Sequence, residues 1–495
     1  MSRALETPLA PPAPRTILGQ PLGIATLFLT ELWERFTYYG IQSLLILFMV
    51  APAASGGLGL GDKASASVYG LYVGSTYLFG LLGGWIADRL AGAQRTVVAG
   101  GILIALGNTL LALGTTSIFF VGLLVIATGV GLLKPNVSAL VAALYPEGGA
   151  RRDAGFSIFY MGINTGGFLG PVIVPVIATA FGWRCGFGVT AAGMTAGVIT
   201  FLYMRRFLGG AGLAVAPAQR ASWTPILVLT ALLTAAVLLA VSGAVHIDAA
   251  LLASGASWVF ALLAVGYFAY LLFFAGLDPA ERRRVLVMVA LFAGSVTFWA
   301  GYFQQGATFN LFAARYTDMD LFGWNAPPGI LQAMNSLFVI ILAGLFAALW
   351  LALGRRQRDP PAAAKFGVAL LLLGTGFLVM YVASLRVLAG HQVLSTWLIC
   401  TYFLHVSGEM FLSPVGLSNM SKLVPPRFVG QAMGMWFLSL ALGGNLTGQL
   451  TGQYDASHLE SLPALLLKIF WYGVIAGIVM LLLTPLTRRL LSGAR

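Results

Sequence analysis

The sequence predicts an all-α polytopic membrane protein, and three observations carry that prediction. Of 495 residues, 59% are hydrophobic and 9% charged, against roughly 25% charged in a soluble domain. Apolar stretches follow one another almost from end to end, each able to cross a bilayer as a helix of about 20 residues. Lysine and arginine gather on one side of those stretches and avoid the other.

Breaks in hydropathy define about fourteen spans, roughly 22–51, 64–87, 96–114, 117–144, 153–179, 184–207, 222–243, 250–275, 285–314, 327–353, 364–385, 392–422, 428–452 and 462–487. The 61 glycines and 22 prolines suit membrane helices that pack closely or bend. An even count puts both ends on one side, and 21 of the basic residues fall on that side against 5 on the other. Arg35 and Lys134 remain within spans. The positive-inside rule places both termini in the cytoplasm of a multi-pass inner (plasma) membrane protein. The net charge of +12 is therefore a topology signal and not a nucleic-acid footprint. Residues 1–21 and 488–495 read as cytoplasmic tails, the first with prolines and no apolar core, unlike a signal peptide.

Cys185 and Cys400 suggest no disulfide framework, and His246, His391, His405 and His458 are scattered without metal-ligand spacing. No phosphate-binding GxxxxGK[ST] loop occurs. These absences speak against an enzyme, a metal site and an ATP-driven machine.

The fourth and twelfth spans resemble each other. GVGLLKPNVSALVAALYP (129–146) and GEMFLSPVGLSNMSKLVP (408–425) align without a gap, matching Gly129 with Gly408, Pro135 with Pro414, Leu144 with Leu423 and Pro146 with Pro425. The pattern fits two six-helix halves, 22–207 and 285–487, with substrate bound between them. An inserted two-helix hairpin with its linkers occupies 208–284, and its spans carry no embedded charge, which suggests a peripheral position.

GGWIADRLAGAQR (83–95) joins the second and third spans, with Gly84, Asp88, Arg89, Gly92 and Arg95 in G-x-x-x-D-R-x-x-G-x-x-R spacing. That loop resembles the signature of the major facilitator superfamily. Gly84 is expected to let helices approach, and Asp88 to accept hydrogen bonds at a helix N-terminus.

Charges at membrane depth cost several kcal/mol unless they face protein or water, so they mark a site. ELWERFTYYG (31–40) holds Glu31, Glu34 and Arg35. Helical spacing stacks Glu31 on Arg35, Glu34 on Tyr38 and Arg35 on Tyr39, with Gln42 one turn further. A purely structural ion pair would leave one acid unanswered. Lys134, at similar depth, is the expected answer, and there it can exchange a proton or bind an anion. Glu409 aligns with Val130 in the repeat, one turn from Lys134, and should look across a central cavity towards it.

ELWERFTYYG with GLLKPNVS (131–138), FSIFYMGINTGGFLGP (156–171), FWAGYFQQGATFNLF (298–312) and GEMFLSPVG (408–416) resembles the proton-dependent oligopeptide transporter family. The resemblance implies the major facilitator fold and proton-driven symport of di- and tripeptides by alternating access, with the proton as coupling ion and no cofactor. A monomer in membrane lipid is expected, with no nucleic-acid partner. The resemblance further implies that Glu31, Glu34, Arg35 and Lys134 couple protons. Substrate contacts fall to Arg35, Tyr38, Tyr39, Tyr77, Lys134, Asn164, Asn335, Glu409, Trp436 and Ser439. A zwitterionic peptide needs such cationic and anionic poles, with amides for its backbone.

Three positions depart from that pattern. Gln42 stands where many members have arginine, and Gln304 is aligned with the acid that most carry. Gly70 stands where animal members place a histidine. Gln42 and Gln304 are expected to meet as a neutral amide pair at an extracellular gate, while His405, one turn from Glu409, reads as packed. The rival readings are a carrier of nitrate or another small solute, and a transceptor that binds peptide without moving it.

Overall fold

The computed structural model describes residues 16–492 except 18, 115, 148, 214, 216–220, 246–247 and 456–457. His246, most of the first tail and the last residues of the second lie outside the described residues.

The helices are α1 (Gly23–Val50), α2 (Asp62–Ile86), α3 (Ala93–Leu113), α4 (Thr116–Ala143), α5 (Gly149–Phe181), α6 (Trp183–Met204), α7 (Thr224–Val241), α8 (Ala249–Ala269), α9 (Pro279–Tyr302), α10 (Thr308–Tyr316), α11 (Ala333–Arg355), α12 (Ala362–Leu388), α13 (Thr396–Lys422), α14 (Val429–Thr451) and α15 (Ser461–Ser492). Among the described residues, ten segments are long and apolar enough to cross a membrane. α1, α2 and α14 are not among them because they carry polar residues turned into the protein, and α7 is only slightly short.

Local chemistry sets several boundaries. Asp278 caps α9 through a reciprocal box with Glu281, and Asp248 accepts from the first backbone amides of α8. The expected ninth span, 285–314, lies within one apolar membrane-length segment, Pro279–Tyr316, but is not one regular helix. It breaks after Tyr302 into a tight turn over 303–306, and Ala307 takes φ −118° and ψ −97° before α10 begins.

α1–α6 pack among themselves, as do α9–α15, and the halves meet through α2 against α14 and α5 against α11. Corresponding positions of the sequence repeat make corresponding contacts. A Cβ on Gly129 would lie 2.7 Å from the Gly100 carbonyl of α3, and one on Gly408 would lie 2.9 Å from the Ala369 carbonyl of α12. In the 83–95 loop the close approach belongs to Gly83, whose Cβ would sit 2.1 Å from the Gly131 carbonyl, while Gly84 has open space. That corrects the expectation for Gly84, which lies one position off the contact face.

One end of the bundle, opposite the start of α1, is sealed between the halves. Arg315 grips Asp62 through two 2.7 Å bonds. Asn310 donates to the Ser43 carbonyl at 3.0 Å and Gln332 to the Gln42 carbonyl at 3.3 Å. Nearby, α2 and α14 touch backbone to backbone, since a Cβ on Gly448 would lie 2.3 Å from the Ala66 carbonyl.

The inserted hairpin is peripheral. α7 is exposed along most of its length, while α8 lies across α2 and α14. Asn445 and Gln449 of α14 hold α8 by donating to the Ala253 carbonyl and the Ser257 hydroxyl at 2.6–3.1 Å.

Candidate functional site

Below the sealed end lies a cavity of about 540 Å³ lined by both halves. Of the residues singled out in the sequence, Glu31, Arg35, Tyr38, Tyr39, Gln42, Tyr77, Lys134, Asn164, Asn335, Glu409 and Trp436 line it. Glu34, Ser439 and Gln304 do not.

The wall from the first half is charged. α1 is enclosed by protein on most of its surface, so Glu31, Glu34 and Arg35 are each at most 3% exposed. Arg35 Nε lies 3.0 Å from Glu31 and 2.5 Å from Glu34, and its guanidinium sits 5.0 Å from the Tyr38 ring centroid. Neither ion pair has hydrogen-bond geometry. Arg35 Nη2, Glu31 Oε2 and both Glu34 oxygens are buried without hydrogen-bond partners. Such a cluster is held by charge attraction and keeps unspent donors and acceptors. Lys134 Nζ lies 4.3 Å from the Tyr77 ring centroid, and no carboxylate among the described residues is within ion-pair distance of it. The expected bond to the first-helix acids or to Glu409 is therefore not formed in this conformation.

The wall from the second half is a hydrogen-bonded chain. Tyr302 donates to Glu409 Oε2. Asn335 Nδ2 donates to the Tyr302 hydroxyl at 2.7 Å and to Gln305 Oε1 at 2.5 Å. On the opposite half, Asn164 spends one amide hydrogen on the Tyr160 carbonyl of its own helix at 2.9 Å.

The Gln42–Gln304 pair is not made. Gln304 is fully buried, donates to the Thr447 carbonyl at 3.2 Å and accepts from Thr308 at 2.5 Å and Thr451 at 2.7 Å. Gln42 Nε2 has no hydrogen-bond partner. The reason is helical phase. Trp299, Tyr302, Phe303 and Gly306 follow i, i+3, i+4, i+7 spacing and all line the cavity, which turns Gln304 towards α14. On this turn Phe303, Gln305 and Gly306 line the cavity, with Phe303 stacked on Trp299 at 5.2 Å between centroids and 5.7 Å from the Tyr77 ring.

Ser439 also leaves the lining. Its buried hydroxyl lies 2.7 Å from that of Ser295 and donates to the Trp436 carbonyl, bracing α14 against α9. His405 is packed, as expected, with Nε2 3.2 Å from the Leu373 carbonyl and the rings of Phe377 and Phe309 at 5.1 and 5.6 Å. Tyr69, Tyr160, Trp299, Tyr302, Phe303, Gln305, Gln332 and Ser413 line the cavity but were not singled out. The spacing from Trp299 was a usable signal for three of them.

Comparison with known proteins places this architecture. The model described as the POT family matches residues 94–472. A protein of Yersinia enterocolitica called peptide transporter YePEPT is 37% identical, over 99% of this chain and 99% of its own. A di-/tripeptide transporter of Lactococcus lactis is 32% identical over 97% of this chain and 98% of its own. A crystal structure of a peptide transporter POT in complex with sulfate superposes with a TM-score of 0.89 at 37% identity, covering 96% of this chain and 97% of that one.

Proposed function

The chain belongs to the POT family, and from that premise we propose that it is a proton-coupled symporter importing di- and tripeptides by alternating access. The observation that carries the reading is a closed-ended cavity with the cations Arg35 and Lys134 on one half and an acceptor wall on the other. A short peptide is a zwitterion with its charges at opposite ends, and such a cavity suits both poles at once.

Arg35 and Lys134 are the groups proposed for the peptide carboxylate, with Glu409 and Asn335 for its amine and Asn164 for its backbone. Tyr38, Tyr39, Tyr77 and Trp436 complete the walls. Glu31 and Glu34 share Arg35, so protonating either acid frees part of the guanidinium for substrate or loosens its hold on the first half. Lys134, lacking an ion pair, is free to answer the same acids in turn. Proton coupling is therefore assigned to Glu31, Glu34, Arg35 and Lys134. Gln304 is assigned no proton role, because an amide spent on three threonines of the second half has neither a proton to exchange nor access to the cavity.

Asp62–Arg315 with the α2–α14 contact forms the closed external gate, so this conformation faces the cytoplasm. The protein is proposed to act as a monomer in the inner (plasma) membrane, with both termini cytoplasmic, the side favoured by its basic residues. Competition for labelled dialanine uptake tests the substrate class. Unlabelled di- and tripeptides should suppress uptake, whereas alanine and nitrate should not. Suppression by nitrate and not by dipeptides would overturn the reading.

A further inference from the structure

Tyr302 sits at the junction of the second-half chain, and its single hydroxyl hydrogen goes to Glu409. Asn335 must therefore give and not take at that oxygen, and its other amide hydrogen goes to Gln305 Oε1. Both donors of Asn335 are spent on protein partners. What remains open to the cavity is acceptor only: Asn335 Oδ1 and Glu409 Oε1 have no hydrogen-bond partner among the described residues and are not sealed from the cavity, while the chain's unspent donor, Gln305 Nε2, is buried. An ammonium, with three donors and no acceptor, matches that face, and an acylated amine does not.

The hydroxyl is fixed in place by its ring. Tyr302 stacks on Phe298 with centroids 5.5 Å apart and meets Trp299 edge-on at 5.2 Å. Phe303 lies at 6.2 Å and His405 at 6.5 Å between ring centroids. Rings on several sides prevent the hydroxyl from swinging away from Asn335 and Glu409.

Resting on the peptide reading above, we infer that Tyr302 is a positioning residue that sets the hydrogen-bond polarity of the amine site. It orients the Asn335 carbonyl and one Glu409 oxygen towards the peptide's free amino group, with Gln305 anchoring the far end. Without the hydroxyl, Asn335 loses the partner that fixes its amide, and Glu409 loses the donor that holds its carboxylate.

The test measures binding of dialanine and N-acetyl-dialanine to the full chain in detergent or proteoliposomes. Tyr302→Phe keeps the ring and should weaken dialanine about tenfold, while N-acetyl-dialanine changes by less than about twofold. Gln305→Met should show the same selectivity with a smaller loss, about threefold. In a Glu409→Gln background the Tyr302→Phe effect on dialanine should largely vanish, which a merely structural role would not produce. Equal losses for both peptides, or an undiminished effect in that background, overturn the inference and leave the peptide reading standing. A wild-type chain that binds neither peptide overturns both.

Discussion

The two walls of the cavity carry charge in opposite ways. On α1, Glu31, Glu34 and Arg35 crowd together at 2.5–3.0 Å with several buried atoms left without hydrogen-bond partners. Across the cavity, Glu409 ends a chain through Tyr302, Asn335 and Gln305 in which each link is a hydrogen bond. Non-directional attraction lets a cation pass from one acid to another when a proton or a second cation replaces it, whereas a directional network fixes the orientation of its members. The first wall is thus suited to exchange partners during a transport cycle, and the second to hold one end of a substrate still. A carrier that couples two solutes needs both properties, and here they lie on different halves.

Breaking the mobile wall should have the largest effect. Lys134→Ala removes a cation that has no ion pair among the described residues, so the fold should survive while proton-driven accumulation of dialanine disappears. Thermal unfolding checks the first outcome and uptake into proteoliposomes the second. Glu31→Gln and Glu34→Gln should abolish most gradient-driven uptake yet spare peptide exchange at equal concentrations, because exchange needs reorientation but no net proton movement. Accumulation at the wild-type level in both variants would make the cluster structural.

The next effect falls outside either wall. Gln304→Glu would set a carboxylate against the Thr447 and Ala300 carbonyls in a fully buried position, costing about 3 kcal/mol in stability. Adding Gln42→Arg should not rescue it, since the two residues do not meet. Rescue in thermal unfolding would restore the gate pair that the structure lacks.

The smallest effect belongs to the sealed end. Asp62 and Arg315 are only partly buried, at 14% and 25% exposure, so Asp62→Asn should weaken closure by about 1 kcal/mol. That corresponds to about a fivefold shift towards opening, readable as spin-label distances between the outer ends of α2 and α10. An unchanged distribution would assign closure to the α2–α14 backbone contact alone.

Much of this was legible in the sequence because hydrocarbon is an unforgiving solvent. Glu31, Glu34, Arg35, Lys134 and Glu409 stand out since each is costly unless enclosed, and the structure encloses all five in or beside one cavity. Gly129 and Gly408 were legible because close helix packing tolerates only a missing side chain. What was illegible turns on phase and direction. Gln304 looked functional because the family resemblance aligned it with an acid, yet it lies one residue off the cavity face occupied by Phe303. Gly84 failed in the same way beside Gly83. Tyr302 passed unnoticed because an aromatic at helical spacing reads as core, and only the position of its hydroxyl distinguishes it. The break at Ala307 follows a polar stretch, Gln304, Gln305 and Gly306, too short to divide the span in the hydropathy pattern.

Coupling itself is the central claim, and proton flux measures it most directly. Proteoliposomes with a pH dye inside and no imposed proton gradient should acidify internally when dialanine is added outside. Wild-type chain should show this acidification, N-acetyl-dialanine should produce much less, and Lys134→Ala should produce none. Dialanine entry without internal acidification would contradict the account, because peptide would then be crossing without its proton.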